Sequence, residues 1–177
     1  MIGRLRLMAL AALPALAGAA EGVATIRWAD LRPPTQQASV TGTVAANPLG
    51  ETLSWDLAGQ AVELAGYLLP VDRENDLVYE FLLVPLIGAC AHMPQPPPNQ
   101  IVLVRPEKPY RSGGMYEPVT VTGILKPGVE QSQLFIVDGV VVVASGYSIG
   151  RAQVAQAESV PDGMQGPGAT PWKFLKN

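Results

Sequence analysis

One cysteine and one histidine, Cys90 and His92, are the residues of this chain whose chemistry most directly suggests a function. The sequence contains no other residue of either type, and a single alanine separates the two. In an extended segment, side chains two positions apart point to the same side. The thiol and the imidazole would then be able to bind one ligand together.

A metal ion is the first ligand to consider, because thiolate and imidazole are common ligands of zinc and also bind copper. Two protein ligands do not complete a zinc site, so the others would come from a carboxylate, water, a partner protein or a second copy of the chain. Glu80 and Glu117 are the first carboxylates to test. Adding Met93 would make a softer set that favours Cu(I). We predict zinc, with copper as the alternative, and no organic cofactor.

Two other interpretations of the same pair stay open. Cys90 can be a small buried apolar residue while His92 donates to a loop carbonyl, and the chain is then an interaction module without metal. Alternatively, the imidazole can lower the pKa of the thiol and make it a nucleophile, as in a thiol-dependent enzyme. The sequence gives no evident acid to orient the histidine and no evident oxyanion hole, so an enzyme is not the function that we predict.

The Cys90 and His92 pair lies on a connection between two predicted buried strands. Residues 81–84 (FLLV) and 101–104 (IVLV) are apolar runs bounded by proline and glycine, which is typical of such strands. Pro94 and the three prolines at 96–98 fix φ and remove backbone donors, so a stiff polyproline-like segment follows the histidine. We expect that segment to shape the loop.

The rest of the chain predicts a mainly β fold with five short strands. They cover residues 57–71, 77–84, 100–105, 119–125 and 140–147. Segment 131–137 fits either a strand or the start of a helix, and segment 149–158 predicts a short helix. Glycine inside a strand, as at Gly66, usually marks a bend or a close backbone approach. This pattern predicts a small OB-like barrel. Its single core should include Leu64, Leu82, Val84, Val102, Val121 and Val141.

The first twenty residues have the layout of a cleavable secretory signal peptide. Arg4 and Arg6 precede an apolar segment at 7–16, and small residues follow at 17–20. In an oxidising exported setting, one cysteine cannot form an internal disulfide. The predicted organisation is a signal peptide at 1–20, an N-terminal arm at 21–56, the OB-like domain at 57–158 and a flexible tail at 159–177.

Composition argues against several classes of partner. The chain has 12 Lys and Arg against 15 Asp and Glu, a formal net charge of −3, and loss of the two signal arginines would leave −5. Because no basic patch is evident, neither nucleic acid nor anionic lipid is an expected partner. No apolar run after the signal segment reaches the about 18 residues of a membrane-spanning helix, so we expect no membrane insertion of the mature chain.

Several longer motifs of this chain occur together in one known family. They are WADL at 28–31, GYLLP at 66–70, EFLLVP at 80–85, GACAHMP at 88–94, PPPNQIV at 96–102, GGMYEPV at 113–119 and VTG at 121–123. Over residues 28–154 the chain resembles the exported bacterial family called domain of unknown function 3299. Two details differ from the family pattern. Gln95 interrupts a proline run that is commonly unbroken, and Ala91 is small where a larger apolar residue is frequent.

The resemblance implies a periplasmic protein with an OB-like barrel, often encoded beside ABC transporter components and in some genomes within zinc-responsive gene sets. Together with the Cys90 and His92 pair, it leads to one functional prediction. We expect a periplasmic accessory protein that binds zinc through these two residues and works with an ABC-type transport system.

Overall fold

The computed structural model describes residues 22–33, 53–87, 95–136 and 139–160 of the chain. The predicted signal peptide, Cys90, His92 and residues 161–177 of the predicted tail lie outside these ranges. Within the ranges, no helix is both long enough and apolar enough to cross a membrane.

In the described part of the chain, seven strands form one sheet. They are β1 (Ala24–Thr25), β2 (Ala61–Glu74), β3 (Leu77–Val84), β4 (Val102–Pro106), β5 (Tyr110–Arg111), β6 (Glu117–Ile136) and β7 (Gly139–Gln156). A short 3₁₀ helix, Pro98–Gln100, precedes β4. The prediction of a mainly β fold is confirmed.

Five of these strands pair in a closed ring. Going round it, β2 pairs with β3, β3 with β4, β4 with β7, β7 with β6, and β6 with β2 again. The β4–β7 pair is parallel and the other four are antiparallel. The remaining strands extend the sheet at its margins, β1 along β2 and β5 along β3.

The predicted helix at 149–158 is wrong, because β7 continues as a strand to Gln156. Alanine and glutamine in this stretch favour a helix, but hydrogen bonding to β6 over the stretch and to β4 at its start holds the backbone extended. Arg151 has a positive φ of 55°. The pairing of β7 shifts register there, from Gly150 opposite Arg105 to Ala152 opposite Pro106. Such a bulge interrupts the alternation of apolar and polar residues by which a strand is predicted.

The buried apolar residues form two clusters rather than the single predicted core. The first contains Leu64 of β2, Val102 of β4 and Val121 of β6. Leu82 and Val84 of β3 belong to the second. The apolar runs of β3 and β4 show no alternation because both of their faces are buried, one against each cluster.

The second cluster exists because the far half of the β6–β7 hairpin covers the outer face of β3 and β4. We call this half, residues 130–136 and 139–145, the distal hairpin. Leu134 and Val143 of the distal hairpin pack in the same cluster as Leu82 and Val84, with the partly buried Val141 against it. The predicted core residue Val141 therefore lies in this outer layer.

The N-terminal arm packs into the first cluster through Trp28, whose side chain is 1 % exposed. The indole Nε1–H of Trp28 donates to the carbonyl oxygen of Ala65 at 2.8 Å. A Cβ on Gly66 would lie 2.7 Å from Cγ of Leu83 and 2.9 Å from Cζ2 of Trp28. The absence of a side chain at Gly66 therefore makes room for the indole, in agreement with the predicted close approach.

Candidate functional site

The segment that carries Cys90 and His92 connects the neighbouring strands β3 and β4. The two strands pair up to Leu83 and Val102, after which the described chain runs on to Ile87 and begins again at Gln95. Cys90 and His92 lie between these points, outside the described residues. The structure does describe the two ends to which the pair is attached.

The downstream end is fixed by close contact between the 3₁₀ helix and β7. A Cβ on Gly146 would lie 2.7 Å from the carbonyl oxygen of Pro98 and 2.5 Å from Cδ2 of Leu53. Real Cβ atoms essentially never approach other atoms so closely, so any larger residue here would require Leu53 and the backbone of Pro98 to shift. The N–H of Gly146 also donates to the carbonyl oxygen of Ile101 at 3.2 Å. The last proline of the run is thus held against β7.

Gln100 ties the same end of the segment to the N-terminal arm. Its side chain is buried, and its Nε2 donates to the carbonyl oxygens of Trp28 at 3.0 Å and Asn99 at 2.8 Å. Its Oε1 accepts from Nη2 of Arg32 at 3.3 Å. A buried amide that makes these bonds fixes the backbone around it, since breaking one would leave a desolvated polar group. The sequence analysis assigned Gln100 no role. Its position as a polar residue directly before the apolar run 101–104 was the one feature that could have drawn attention to it.

Tyr147 is the second residue that sequence reasoning missed. Its hydroxyl is buried, donates to the carbonyl oxygen of Leu31 at 2.7 Å and accepts from the N–H of Ser54 at 2.5 Å. Burial raises the pKa of Tyr147 above its ordinary value. This phenol joins the arm, the residues before β2 and the strand that contacts Pro98.

Glu80, one of the two predicted carboxylates, is engaged by an arginine. Nε of Arg105 donates to Oε2 of Glu80 at 2.6 Å, and Nη2 of Arg105 donates to Oε2 of Glu130 at 2.9 Å. The guanidinium lowers the pKa of the Glu130 carboxyl through this hydrogen bond. The three side chains link β3, β4 and the base of the distal hairpin, which is a structural role.

Glu117, the other predicted carboxylate, accepts three hydrogen bonds from the loop before it. Its Oε2 accepts from the N–H of Gly113 at 2.7 Å and the hydroxyl of Ser112 at 2.8 Å. Its Oε1 accepts from the hydroxyl of Tyr110 at 3.1 Å. These bonds order residues 110–117, and a metal ion would have to compete with them for this carboxylate.

The strand registers place Glu117 nearer than Glu80 to the start of the Cys90 and His92 segment. Val84 ends β3 and pairs with Tyr67, which also pairs with Pro118 on the other side. Two strand spacings therefore separate Val84 from Pro118, about 10 Å. Glu80 lies four residues back along β3, about 13 Å from Val84.

Tyr110 offers a direct test of the Glu117 arrangement. Burial, with the hydrogen bond and charge of Glu117, raises the pKa of Tyr110 from 10.0 to about 12. Between these values the folded protein keeps a proton that the unfolded chain loses. The stability that Tyr110 contributes is therefore complete below pH 10 and is lost as the pH rises through about 12.

We expect Tyr110→Phe to remove the phenol that titrates near pH 12 from the ultraviolet absorbance titration of tyrosinate. The control is Tyr79→Phe, a change at a side chain that is 40 % exposed, which should leave that component in place. Tyr147 stays in both variants and contributes its own raised pKa. An unchanged amplitude near pH 12 in Tyr110→Phe would contradict the placement of a partly buried Tyr110 beside Glu117.

A cavity of about 550 Å³ lies between the arm, β2, β6 and the residues that follow β7. Its walls include Ile26, Trp28, Ala65, Thr120 and Ala157. None of the described residues flanking the Cys90 and His92 segment lines it.

In the part of the chain that the structure describes, no group of three His, Cys, Asp or Glu residues is placed to hold a metal ion. The metal hypothesis therefore depends on Cys90 and His92.

Comparison with known proteins places this arrangement in a family. Residues 28–156 match the family described as Protein of unknown function (DUF3299). The chain belongs to the DUF3299 family. This confirms the family resemblance that the motifs indicated. The DUF3299 match begins at Trp28 and ends at Gln156, the last residue of β7, so the arm that packs on Gln100 is part of the family's shared region.

A solved structure supports the same assignment. The crystal structure of a DUF3299 family protein from Pseudomonas aeruginosa PAO1 is similar to this chain, with 28% sequence identity and a TM-score of 0.56. The similarity covers 79% of this chain and 99% of the Pseudomonas DUF3299 protein. Among curated proteins, none matches this sequence.

Proposed function

We propose that this protein is a periplasmic accessory protein that binds a transition metal, zinc in preference to copper, through Cys90 and His92. The observation that supports this most is the attachment of the segment. Pro98 lies against Gly146, and the buried Gln100 joins the arm to the end of the proline run. A loop fixed at its base loses less conformational entropy when a ligand binds.

We interpret the closed ring of five strands as an OB-like barrel. The ring consists of five strands, which we number one to five along the chain: β2, β3, β4, β6 and β7. Neighbours around the ring follow the order one, two, three, five, four. The third and fifth strands are parallel, as in the five-stranded OB fold. In this interpretation the segment with Cys90 and His92 is the long loop between the second and third barrel strands.

The remaining metal ligands are proposed to be water or groups of a partner. Glu80 is paired with Arg105, and Glu117 accepts three hydrogen bonds. A metal ion would therefore have to displace these partners to bind either carboxylate. Two protein ligands give a modest affinity, which suits a carrier that must release its cargo. The association with an ABC-type transport system comes from the family resemblance, and the transporter would complete the site during transfer.

The test is titration of the mature protein with Zn²⁺ and with Cu(I), beside Cys90→Ser and His92→Ala. We expect both variants to bind much more weakly than the wild type. Binding displaces the thiol proton, so affinity should fall as the pH drops through the range in which imidazole also protonates. Glu117→Gln is the matched control and should bind like the wild type. Equal binding by the wild type, Cys90→Ser and His92→Ala would exclude the site and favour an interaction module without metal.

A further inference from the structure

The distal hairpin carries an exposed apolar patch on the face turned away from β3 and β4. Phe135 is 78 % exposed, Val140 54 % and Val142 53 %. Phe135 pairs directly with Val140 in the β6–β7 register. Directly paired residues share a face, as do residues two apart on a strand. The three side chains therefore form one surface, which we call the hairpin patch.

The hairpin patch is held rigidly outward by contacts on the other face of the same strands. Leu134 and Val143, each adjacent in sequence to a patch residue, are buried in the second cluster. At the base of the distal hairpin, Glu130 accepts a hydrogen bond from Arg105 at 2.9 Å. Turning the patch inward would expose the buried pair instead. A contiguous apolar surface fixed in this way is typical of an interaction site.

The charges of the chain indicate what kind of partner fits this surface. Between Glu130 and Arg151 the only charged residue is Asp138, whereas the whole chain has a formal net charge of −3. Two copies of an acidic protein repel each other over most of their surfaces. They can approach at a surface that carries almost no charge, and an apolar patch is complementary to itself.

Neither edge of the distal hairpin is paired with another described strand. Pairing between β2 and β6 reaches only Ile124, and pairing between β4 and β7 begins at Tyr147. Among the described strands, the distal hairpin therefore pairs only within itself. In the plane of the sheet, no described strand therefore borders the hairpin patch.

We propose that the hairpin patch is the contact between two copies of this chain, packed face to face about a two-fold axis. In this arrangement Phe135 of each copy contacts Val140 and Val142 of the other, as an isologous interface requires. Three apolar residues per copy fall short of the about 800 Å² per partner of a standard stable interface. The dimer is therefore weak and forms as protein concentration rises. The contact involves neither Cys90 nor His92 and stands apart from metal binding.

Sedimentation velocity of the mature chain, from low micromolar to several hundred micromolar, tests the contact. We expect a concentration-dependent dimer, weakened at least about tenfold by Phe135→Glu. Met115→Glu is the matched control, because Met115 is 60 % exposed and lies outside the distal hairpin. It should leave the dissociation constant unchanged. Since Phe135 is so exposed, circular dichroism and melting of the Phe135→Glu monomer should match the wild type.

A charge-swap experiment tests the face-to-face arrangement itself. Phe135→Glu and Val142→Lys should each weaken self-association, and an equimolar mixture should associate more strongly than either variant alone because opposite charges then meet across the axis. A mixture that stays monomeric would overturn the arrangement. A wild type that is monomeric throughout, or a dimer insensitive to Phe135→Glu, would overturn the proposal. Binding of the monomer to phosphatidylcholine vesicles in a Phe135-dependent way would also overturn the proposal, because the hairpin patch would then be a membrane-binding surface.

Discussion

Trp28→Ala is expected to lower the free energy of unfolding by about 3 to 5 kcal/mol, the range for removing a large aromatic side chain from a core. Trp28 is 1 % exposed, and its indole donates to the carbonyl oxygen of Ala65. Its removal leaves a cavity beside Gly66, which has no side chain of its own to fill the space. For a chain of this size the melting temperature should fall by roughly 6 to 20 °C, measured by calorimetry.

The matched control is Trp55→Ala, which removes the same side chain at a position that is 60 % exposed. It should change the free energy of unfolding by no more than about 0.5 kcal/mol. Trp28→Phe should fall between the two, because a phenyl ring keeps part of the volume but cannot donate to Ala65. If Trp28→Ala and Trp55→Ala lowered the free energy of unfolding equally, the packing of the arm would not contribute to the stability of the ring of strands.

Gly146→Ala is expected to cost about 1 to 3 kcal/mol of stability, the usual cost of overpacking. The new Cβ would lie 2.7 Å from the carbonyl oxygen of Pro98 and 2.9 Å from its carbonyl carbon. Leu53 can adjust its side chain, but the backbone of Pro98 has to move. Denaturant unfolding monitored by circular dichroism measures the loss.

Gly150→Ala is the control for this change, because Gly150 is on the same strand and nothing lies within 4 Å of an added Cβ. That substitution should be neutral or slightly stabilising. If the metal proposal is correct, Gly146→Ala should also weaken zinc binding, because it displaces the end of the segment that carries Cys90 and His92. A Gly146→Ala protein as stable as Gly150→Ala would show that Pro98 is not pressed against β7.

Local pattern was enough to predict β3, which begins and ends at the residues expected from its apolar run. The same pattern could not show what each face of that strand contacts. Leu82 and Val84 are buried by Leu134 and Val143, residues that come about fifty positions later. Hydrophobicity indicates that a residue is buried, whereas the layer that buries it depends on how the hairpin bends back over the ring.

The course of β7 after Ile149 shows a second limit of local pattern. Arg151 takes a positive φ and moves the residues after it out of register. Pairing partners at Arg105 and Pro106 make this conformation favourable, and they lie more than forty residues away. No window around Arg151 contains that information.

The candidate site could be predicted in part. Cys90 and His92 stand out because each is the single residue of its type. Gln100 could not be assigned, since its hydrogen bond to the carbonyl of Trp28 joins residues 72 positions apart. The role of Gly146 likewise depends on the nearness of Pro98, which follows only from the parallel pairing of β4 with β7.

That parallel pair also determines when the molecule can finish folding. Val102 pairs with Tyr147, 45 residues later. Strand β4 therefore cannot pair with β7, its second neighbour after β3, until nearly the whole domain has been synthesised. The β2–β3 hairpin can form early from adjacent residues, but a chain that ends before β7 presents an unpaired, valine-rich edge to other chains. Closure of such a distant pair is slow compared with hairpin formation. Because synthesis proceeds from the N-terminus, the incomplete molecule would be most prone to aggregation in the interval before β7 is made.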